Sequence, residues 1–481
     1  MKTVFAKSVS GRLGVMPATP ADPAGKFLPA SLLRKKAPAL PELSELDVVR
    51  HFTALSTLNF SVDGNFYPLG SCTMKFNPKA GELVAALPRF ANAHPLLPQL
   101  PEGEELAQGS LQAVWELEKS LCEINGMNAF TLQPMAGAQG ELTGALLIAA
   151  YHKAAGNKKN KIICPDSAHG TNPATAALAG YEVINLESQG GLITPEALAN
   201  VLDDGVAALM MTCPNTLGLF ERHLPALVEK LHAVDALLYY DGANLNAVMG
   251  RMRVGDVGFD VVHVNLHKTM STPHGGGGPG SGPVGVSERL TPFLPGPRVV
   301  KDPDGRFRLK TDLPQSIGQV TPFYGHFGVF VKALAYIIRL GKSGLARASD
   351  YAVLNANYMR KRLEEYLDVP YTDLCMHEFA ASASRYAKHG VHALDIAKAL
   401  LDKGCHAPTI YFPLIVKECL MIEPTETENK ETLDAFCDDL IALLQEAEKK
   451  PEKLHAAPVT MPVRRLDETK AARDMVLKEN V

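Results

Sequence analysis

Between residues 140 and 266 short apolar runs alternate with helical stretches, and that rhythm restricts the chain to one fold class. The runs KIICP (161–165), YEVINL (181–186), VAALMMT (206–212), ALLYYD (236–241) and VVHVNL (261–266) read as strands. GELTGALLIAAYHK (140–153), TPEALANVL (194–202) and HLPALVEKLHAV (223–234) read as helices. The second of these carries Thr194 as N-cap and Pro195 at its first helical position. Apolar strands of this length, separated by helices, bury both faces of a sheet. The expected fold is therefore α/β, with a large, doubly wound, mostly parallel sheet.

The texture changes on either side of this block. Residues 1–65, rich in Pro, Lys and Ala, read as an extended arm, and 66–330 as the large domain. In EELAQGSLQAVWELEKSLCEI, Leu106, Val114, Leu117 and Leu121 mark the apolar stripe of a helix. Beyond about 330 a long helical stretch (VFVKALAYIIRL, then SDYAVLNANYMRKRLEEYL) leads into a smaller C-terminal α/β domain reaching 455. Its helices are VHALDIAKALLDKG and KETLDAFCDDLIALLQEAEKK, its strands TIYFP and CLMIEP, and a polar tail covers 456–481.

Composition excludes several functions. The 48 basic and 52 acidic residues leave a net charge of −4, which gives no footprint for nucleic acid. No window of 18 apolar residues points to a membrane span, and no apolar run near the N-terminus points to a secretory signal. Eight cysteines without a C-x-x-C pair suit a reducing compartment, so the expected location is the cytoplasm.

Ligands of open parallel sheets bind beyond the carboxyl ends of the strands. In QPMAGAQGE (133–141) a glycine-containing turn enters an apolar helix. The free N–H groups of Ala138, Gln139 and Gly140 suit a phosphate, although an ordinary turn reads the same way. His169, in CPDSAHGTNPA (164–174), either stacks on a flat ligand or acts as a base, or is a loop histidine bonded to nearby backbone. Asp241 ends an apolar strand and needs a partner, such as a protonated ring nitrogen, unless it caps the next helix. Gly242 and Ala243 beside it leave room for a ring. In HVNLHKTMSTPHGGGGPGSG (263–282) Lys268 follows a strand, a position from which an amine can form a Schiff base with an aldehyde. His267 is a donor for phosphate, and the glycines at 275–282 read as a loop free to cover the ligand. That loop lacks the Gly-Lys-Ser/Thr of a P-loop, which excludes a nucleotide reading. Phosphate turn, histidine, strand-end Asp and His-Lys, in that order, describe pyridoxal phosphate.

With YPLGSCTMKFNP (67–78) and YYDGANLNA (239–247) added, these segments resemble the P-protein of the glycine cleavage system, glycine dehydrogenase (decarboxylating). The length is similar to that of the separate second subunit of its split form. The resemblance implies a fold-type-I pyridoxal-phosphate transferase with a Schiff base on Lys268. Asp241 would pair with the pyridine nitrogen and His169 would stack on the ring. Ala138 and Gln139 would contact the phosphate, with Ala243 and His267 close by. It also implies glycine as substrate, a lipoyl H-protein as acceptor of the aminomethyl group, and an α2β2 assembly with the first subunit. No metal is implied.

Cys72 has two readings, a thiol near the site and a small buried residue. Gln319, in GQVTPFYGH (318–326), is a candidate to reach a neighbouring subunit's phosphate. Arg251, Arg253 and Arg385 are equal candidates for the glycine carboxylate. Two rivals to the whole reading are another fold-type-I decarboxylase or aminotransferase and a non-catalytic scaffold. A scaffold, however, has no use for Lys268, Asp241 and His169 together.

Overall fold

The computed structural model describes residues 1–15, 26–36, 38–275 and 280–476. Parts of the N-terminal arm (16–25 and 37), of the glycine loop (276–279) and of the tail (477–481) lie outside the described residues. Contacts divide the chain into two units, residues 62–456 and residues 1–61 with 457–481.

In the smaller unit, the stretch read as an extended arm contains the helix Glu45–Ser56. Ser44 and Asp47 form a capping box: the Ser44 hydroxyl accepts from the Asp47 N–H at 3.1 Å, and the Asp47 carboxylate reaches back to Ser44. The proline-rich composition hid this short S-E-L-D signal.

The larger unit is built on a seven-stranded sheet: β1 (Ala129–Thr131), β2 (Lys161–Pro165), β3 (Glu182–Leu186), β4 (Val206–Thr212), β5 (Leu237–Gly242), β6 (Val261–Val264) and β7 (Val284–Val286). Their order is β1-β7-β6-β5-β4-β2-β3, and only β7 runs against its neighbours. Residue alternation divides the core. On one face Leu209, Met211, Leu238, Tyr240 and Val262 pack with Leu198, Leu227 and Leu231, which come from helices Pro195–Val201 and Leu224–Ala233. On the other, Ile162, Met210, Leu237, Tyr239 and Val261 pack with Leu147 and Ile148 of helix Gly137–Ala154. Each such fully buried side chain stabilises by roughly 1.5–3 kcal/mol, so the two-faced burial fixes the register of every central strand.

Strands β8 (Arg298–Lys301) and β9 (Phe307–Lys310) form a hairpin outside this sheet. A 37-residue helix, Phe327–Leu363, carries a break at Gly341 (φ 60°). Beyond it β10 (Phe379–Ser382), β11 (Thr409–Ile410) and β12 (Cys419–Ile422) form an antiparallel sheet in the order β10-β12-β11. Helices Ala393–Asp402 and Lys430–Lys449 accompany it.

Two further expectations differ from the structure. TIYFP is a strand only at Thr409–Ile410, because Tyr411 has a positive φ (58°) and Pro413 has no N–H to donate. Leu106 is 78% exposed rather than on the apolar stripe, since a break at Ala107 separates Gly103–Leu106 from the helix Gln108–Asn125.

Candidate active site

The ends of β4, β5 and β6 and the entry of helix Gly137–Ala154 wall a cavity of about 200 Å³. Ala138, His169, Asp241, Ala243, His267 and Lys268 all line it, whereas Gln139, expected at the phosphate, does not. The Gln139 side chain is occupied: it accepts from Met135 N–H at 2.8 Å and donates to the Val320 carbonyl at 2.7 Å. What it can offer a phosphate is its main-chain N–H. The helix has no side-chain cap at Ala136, so the N–H groups of Gly137, Ala138 and Gln139 remain available among the described residues, whereas the Gly140 N–H, expected free, donates to the Ala136 carbonyl at 3.0 Å and closes the first turn. Gly282 lets the chain pass this entry, since a Cβ there would lie 2.2 Å from the Ala136 carbonyl oxygen.

Asp241 is buried at the end of β5 and held by four donors. Asn172 Nδ2 donates at 2.9 Å, Thr212 Oγ1 at 3.2 Å and the Ala243 N–H at 3.1 Å, while His263 Nδ1 lies 3.4 Å away. Burial alone would raise this carboxyl; His263, Asn172 and His169 outweigh it and hold Asp241 well below the usual carboxylate range. His263 in turn is raised, because Asp241 and Glu141 overcome the burial that disfavours its charge.

Glu141, one turn inside the helix, escaped the sequence reading. Burial, and then Asp241, push its carboxyl up to about 7. Thr171 Oγ1 donates to it at 2.7 Å and lies 2.8 Å from His169 Nδ1, so Glu141, Thr171 and His169 form one chain of contacts. A carboxylate in an otherwise apolar helix was the available signal. Burial keeps His169 below the usual histidine range, and Lys268 adds to this.

The Lys268 amine is half-buried and has no hydrogen-bond or ion-pair partner among the described residues. His267 is pushed down to about 3 by burial, His274 and Lys268, so it is a neutral imidazole. Its Nδ1 lies 3.1 Å from the Ser281 nitrogen and its ring meets His274 edge-on.

The other wall comes from segments far away in sequence. Gly218 (φ 80°) lets the residues before β10 approach the loop after β4: a Cβ there would meet the Glu378 carbonyl at 1.9 Å. This close approach brings His377 and Glu378 to the cavity, with Ser71. Ser71 belongs to GSCTMK, which is anchored by the fully buried Lys75 through Glu426 (2.7 Å) and Asn246 (2.9 Å). Cys72 itself does not line the cavity, and burial pushes its thiol up to about 11. Gln319 is exposed and donates to Phe323 at 2.7 Å. The three arginine candidates are not brought to the cavity: Arg251 pairs with Asp350, Arg253 with Glu123 and Asp256, and Arg385 with Asp368.

These residues fit pyridoxal phosphate. An ionised, buried carboxylate suits a pyridinium, an uncapped helix entry suits a phosphate, and an unpaired amine suits an aldehyde.

Comparison with known proteins agrees with this chemistry. A family model described as "Glycine dehydrogenase, C-terminal domain" matches residues 348–460. A "probable glycine dehydrogenase (decarboxylating) subunit 2" from Caldanaerobacter subterraneus subsp. tengcongensis is 57% identical over 458 residues, covering 95% of this chain and 93% of the relative. One of the same name from Kosmotoga olearia is 55% identical over 477 residues, 98% of each chain. Among solved structures, a glycine decarboxylase (P-protein) of the glycine cleavage system in inhibitor-bound form superposes with a TM-score of 0.72 at 21% identity, over 87% of this chain and 94% of that one. An aspartate aminotransferase from Thermus thermophilus gives a TM-score of 0.57 at 15% identity, over 80% and 100%. The fold is that of fold-type-I pyridoxal-phosphate enzymes. At more than half identity over nearly the whole length, the chain belongs to the family of glycine dehydrogenase (decarboxylating) subunit 2.

Proposed function

We propose that this chain is the catalytic subunit of a glycine cleavage P-protein. It takes glycine, releases CO2 and passes the aminomethyl group to the oxidised lipoyl arm of H-protein. The observation that carries this reading is a single cavity lined by a lysine without an ion-pair or hydrogen-bond partner among the described residues, an ionised Asp and a histidine beside an uncapped helix entry.

Lys268 would hold pyridoxal phosphate covalently, Asp241 would meet its ring nitrogen, and His169 its ring face. Ala138, Gln139 and His267 would hold the phosphate, with Ala243 under the ring. Bound there, the group supplies an electron sink for the carbon that loses CO2. The protein supplies the setting. Asp241 keeps its negative charge because Asn172, Thr212, the Ala243 N–H and His263 stabilise it. Thr171 fixes His169 against Glu141. Among the described residues no arginine lines this wall, so none there would hold the substrate carboxylate in a strong ion pair that resists its departure as neutral CO2.

The relatives' name, subunit 2, supports a partner subunit, and an α2β2 assembly belongs to this reading. So do a large domain at 66–330 and a small one at 331–455, which the separate seven- and three-stranded sheets support. A cytoplasmic location also belongs to it; no helix among the described residues is long and apolar enough to cross a membrane.

The test is the visible spectrum and CO2 release of the chain loaded with pyridoxal phosphate, with and without the first subunit, H-protein and glycine. A Schiff-base band that responds to glycine, with CO2 release lost in Lys268→Ala, is expected. Undiminished turnover in that variant would restore the scaffold reading. Conversion of the cofactor to its amine form by an amino acid alone would favour an aminotransferase.

A further inference from the structure

The reaction proposed above consumes a proton. The C–C bond of glycine breaks, and CO2 leaves. The electron pair left on carbon forms a C–S bond with one lipoyl sulfur, and the S–S bond breaks. Its electron pair departs on the second sulfur, which needs a proton to become a thiol. The histidines around the cavity are poor sources. Burial and nearby positive charge hold His169, His267 and His274 below the usual range.

A better source stands on the wall opposite the helix entry. β10 and β12 pair antiparallel with Phe379 opposite Ile422, and carrying that register one residue further sets Glu378 opposite Glu423. Two carboxylates directly across such a pair repel unless they share a proton. Both are buried, and ligating atoms of Glu378, Glu423 and His377 all lie within 4.8 Å of one another. Their partners are unequal. Glu423 accepts from the Thr73 N–H (2.8 Å), Thr73 Oγ1 (2.7 Å) and Asn244 Nδ2 (3.0 Å). Among the described residues Glu378 accepts a hydrogen bond only from the Ser71 N–H, at 2.6 Å. Three donors favour the ionised form at Glu423, leaving the proton on Glu378, which alone of the two lines the cavity. Beside it His377, 1% exposed, has its Nε2 3.7 Å from Glu378 Oε1 but no hydrogen-bond partner for either ring nitrogen among the described residues; it lines the same wall, so this side of the cavity is prepared for a polar ligand.

Resting on the glycine-cleavage reading, we propose that Glu378, sharing one proton with Glu423, is the acid that protonates the sulfur expelled from the lipoyl disulfide. Glu423 is a positioning residue that keeps the proton on its neighbour. Burial and then Glu423 raise Glu378 well above the usual carboxyl range; burial raises Glu423 also, against the pull of Asn244 and Thr73. Among the described residues the other charged or titratable groups facing the pair are Lys268, Cys72, Cys375, Cys419, His274 and His377. Burial keeps the five cysteine and histidine groups neutral at pH 7, and Lys268 favours ionisation of both carboxyls.

Two measurements on the full chain test this. The first is isotope-edited infrared difference spectroscopy of the chain loaded with pyridoxal phosphate, wild type against E378Q and E423Q at pH 7. A protonated-carboxyl C=O band, present in the wild type and lost in each variant, is expected. The second is a single-turnover assay with first subunit and lipoyl H-protein. In E378Q the glycine-induced spectral change should persist while aminomethyl transfer slows about 100-fold or more. E378D should recover part of that loss, and E423Q should move the alkaline limit of transfer to lower pH. A wild type without the band, or E378Q transferring at the wild-type rate, overturns the assignment. A wild-type assembly that releases no CO2 from glycine instead overturns the glycine-cleavage reading itself, and this assignment with it.

Discussion

Glu141 and Asp241 share one donor, the Asn172 amide, at 3.1 and 2.9 Å, yet their charges are driven in opposite directions. Asp241 has three further contacts that favour its anion, and burial dominates at Glu141. Two carboxyl groups separated in this way can take different roles in one site.

Their effects on stability run in opposite senses with pH. Glu141 has a folded value raised to about 7, so its contribution is fully present below the ordinary value of 4.5 and is lost as pH rises towards 7. The whole shift is worth at most about 3 kcal/mol. In Glu141→Gln, urea unfolding at pH 5 and pH 7.5 should lack this loss. Asp241 is depressed, so its contribution is present above the ordinary value and is lost only as pH falls below it. Asp241→Asn should remove that acid sensitivity and weaken cofactor binding, measured by fluorescence titration, at least about tenfold.

Lys75 tests the anchor of the distant wall. Its ammonium is completely buried and satisfied by Glu426 and Asn246. Lys75→Met leaves Glu426 without its cation and should destabilise the chain by about 3–5 kcal/mol in denaturant unfolding. It should also displace Ser71 from the cavity, lowering glycine turnover in whatever fraction stays folded.

Gly282 tests the phosphate entry. An added Cβ meets backbone at 2.2 Å, and backbone cannot swing aside as a side chain can. Gly282→Ala should loosen pyridoxal phosphate more than about tenfold by shifting the first N–H groups. Excess cofactor should recover much of the activity. Tight binding in this variant would mean that the helix entry is not the phosphate site.

The same geometry explains what a reader of the sequence can find. Asp241, His169 and Lys268 follow strands whose apolar runs are plain, and the parallel-sheet rule points to their ends. Glu141 was half visible, as an acid inside an apolar helix. Glu378 and Glu423 were not visible: their meeting with Ser71 and Thr73 spans more than 300 residues, and no local pattern encodes it. Likewise β1 and β7, at three residues each, are too short for any alternation to appear. The arginine candidates failed for a physical reason, since each finds an acidic partner on the surface.

Cys72 belongs to a segment that reaches the cavity, yet its thiol is held at about 11 by burial. Cys72→Ser should therefore leave glycine decarboxylation within about threefold of wild type, and iodoacetamide at pH 7 should label it slowly. Rapid labelling would show that the thiol is an exposed thiolate.

The central claim is that Lys268 holds the cofactor. Borohydride reduction of the chain loaded with pyridoxal phosphate, followed by proteolysis and mass spectrometry, locates the attached lysine directly. A pyridoxyl group on the peptide containing Lys268, absent after incubation with glycine before reduction, is the predicted result. Attachment at another lysine, or none, would contradict the account.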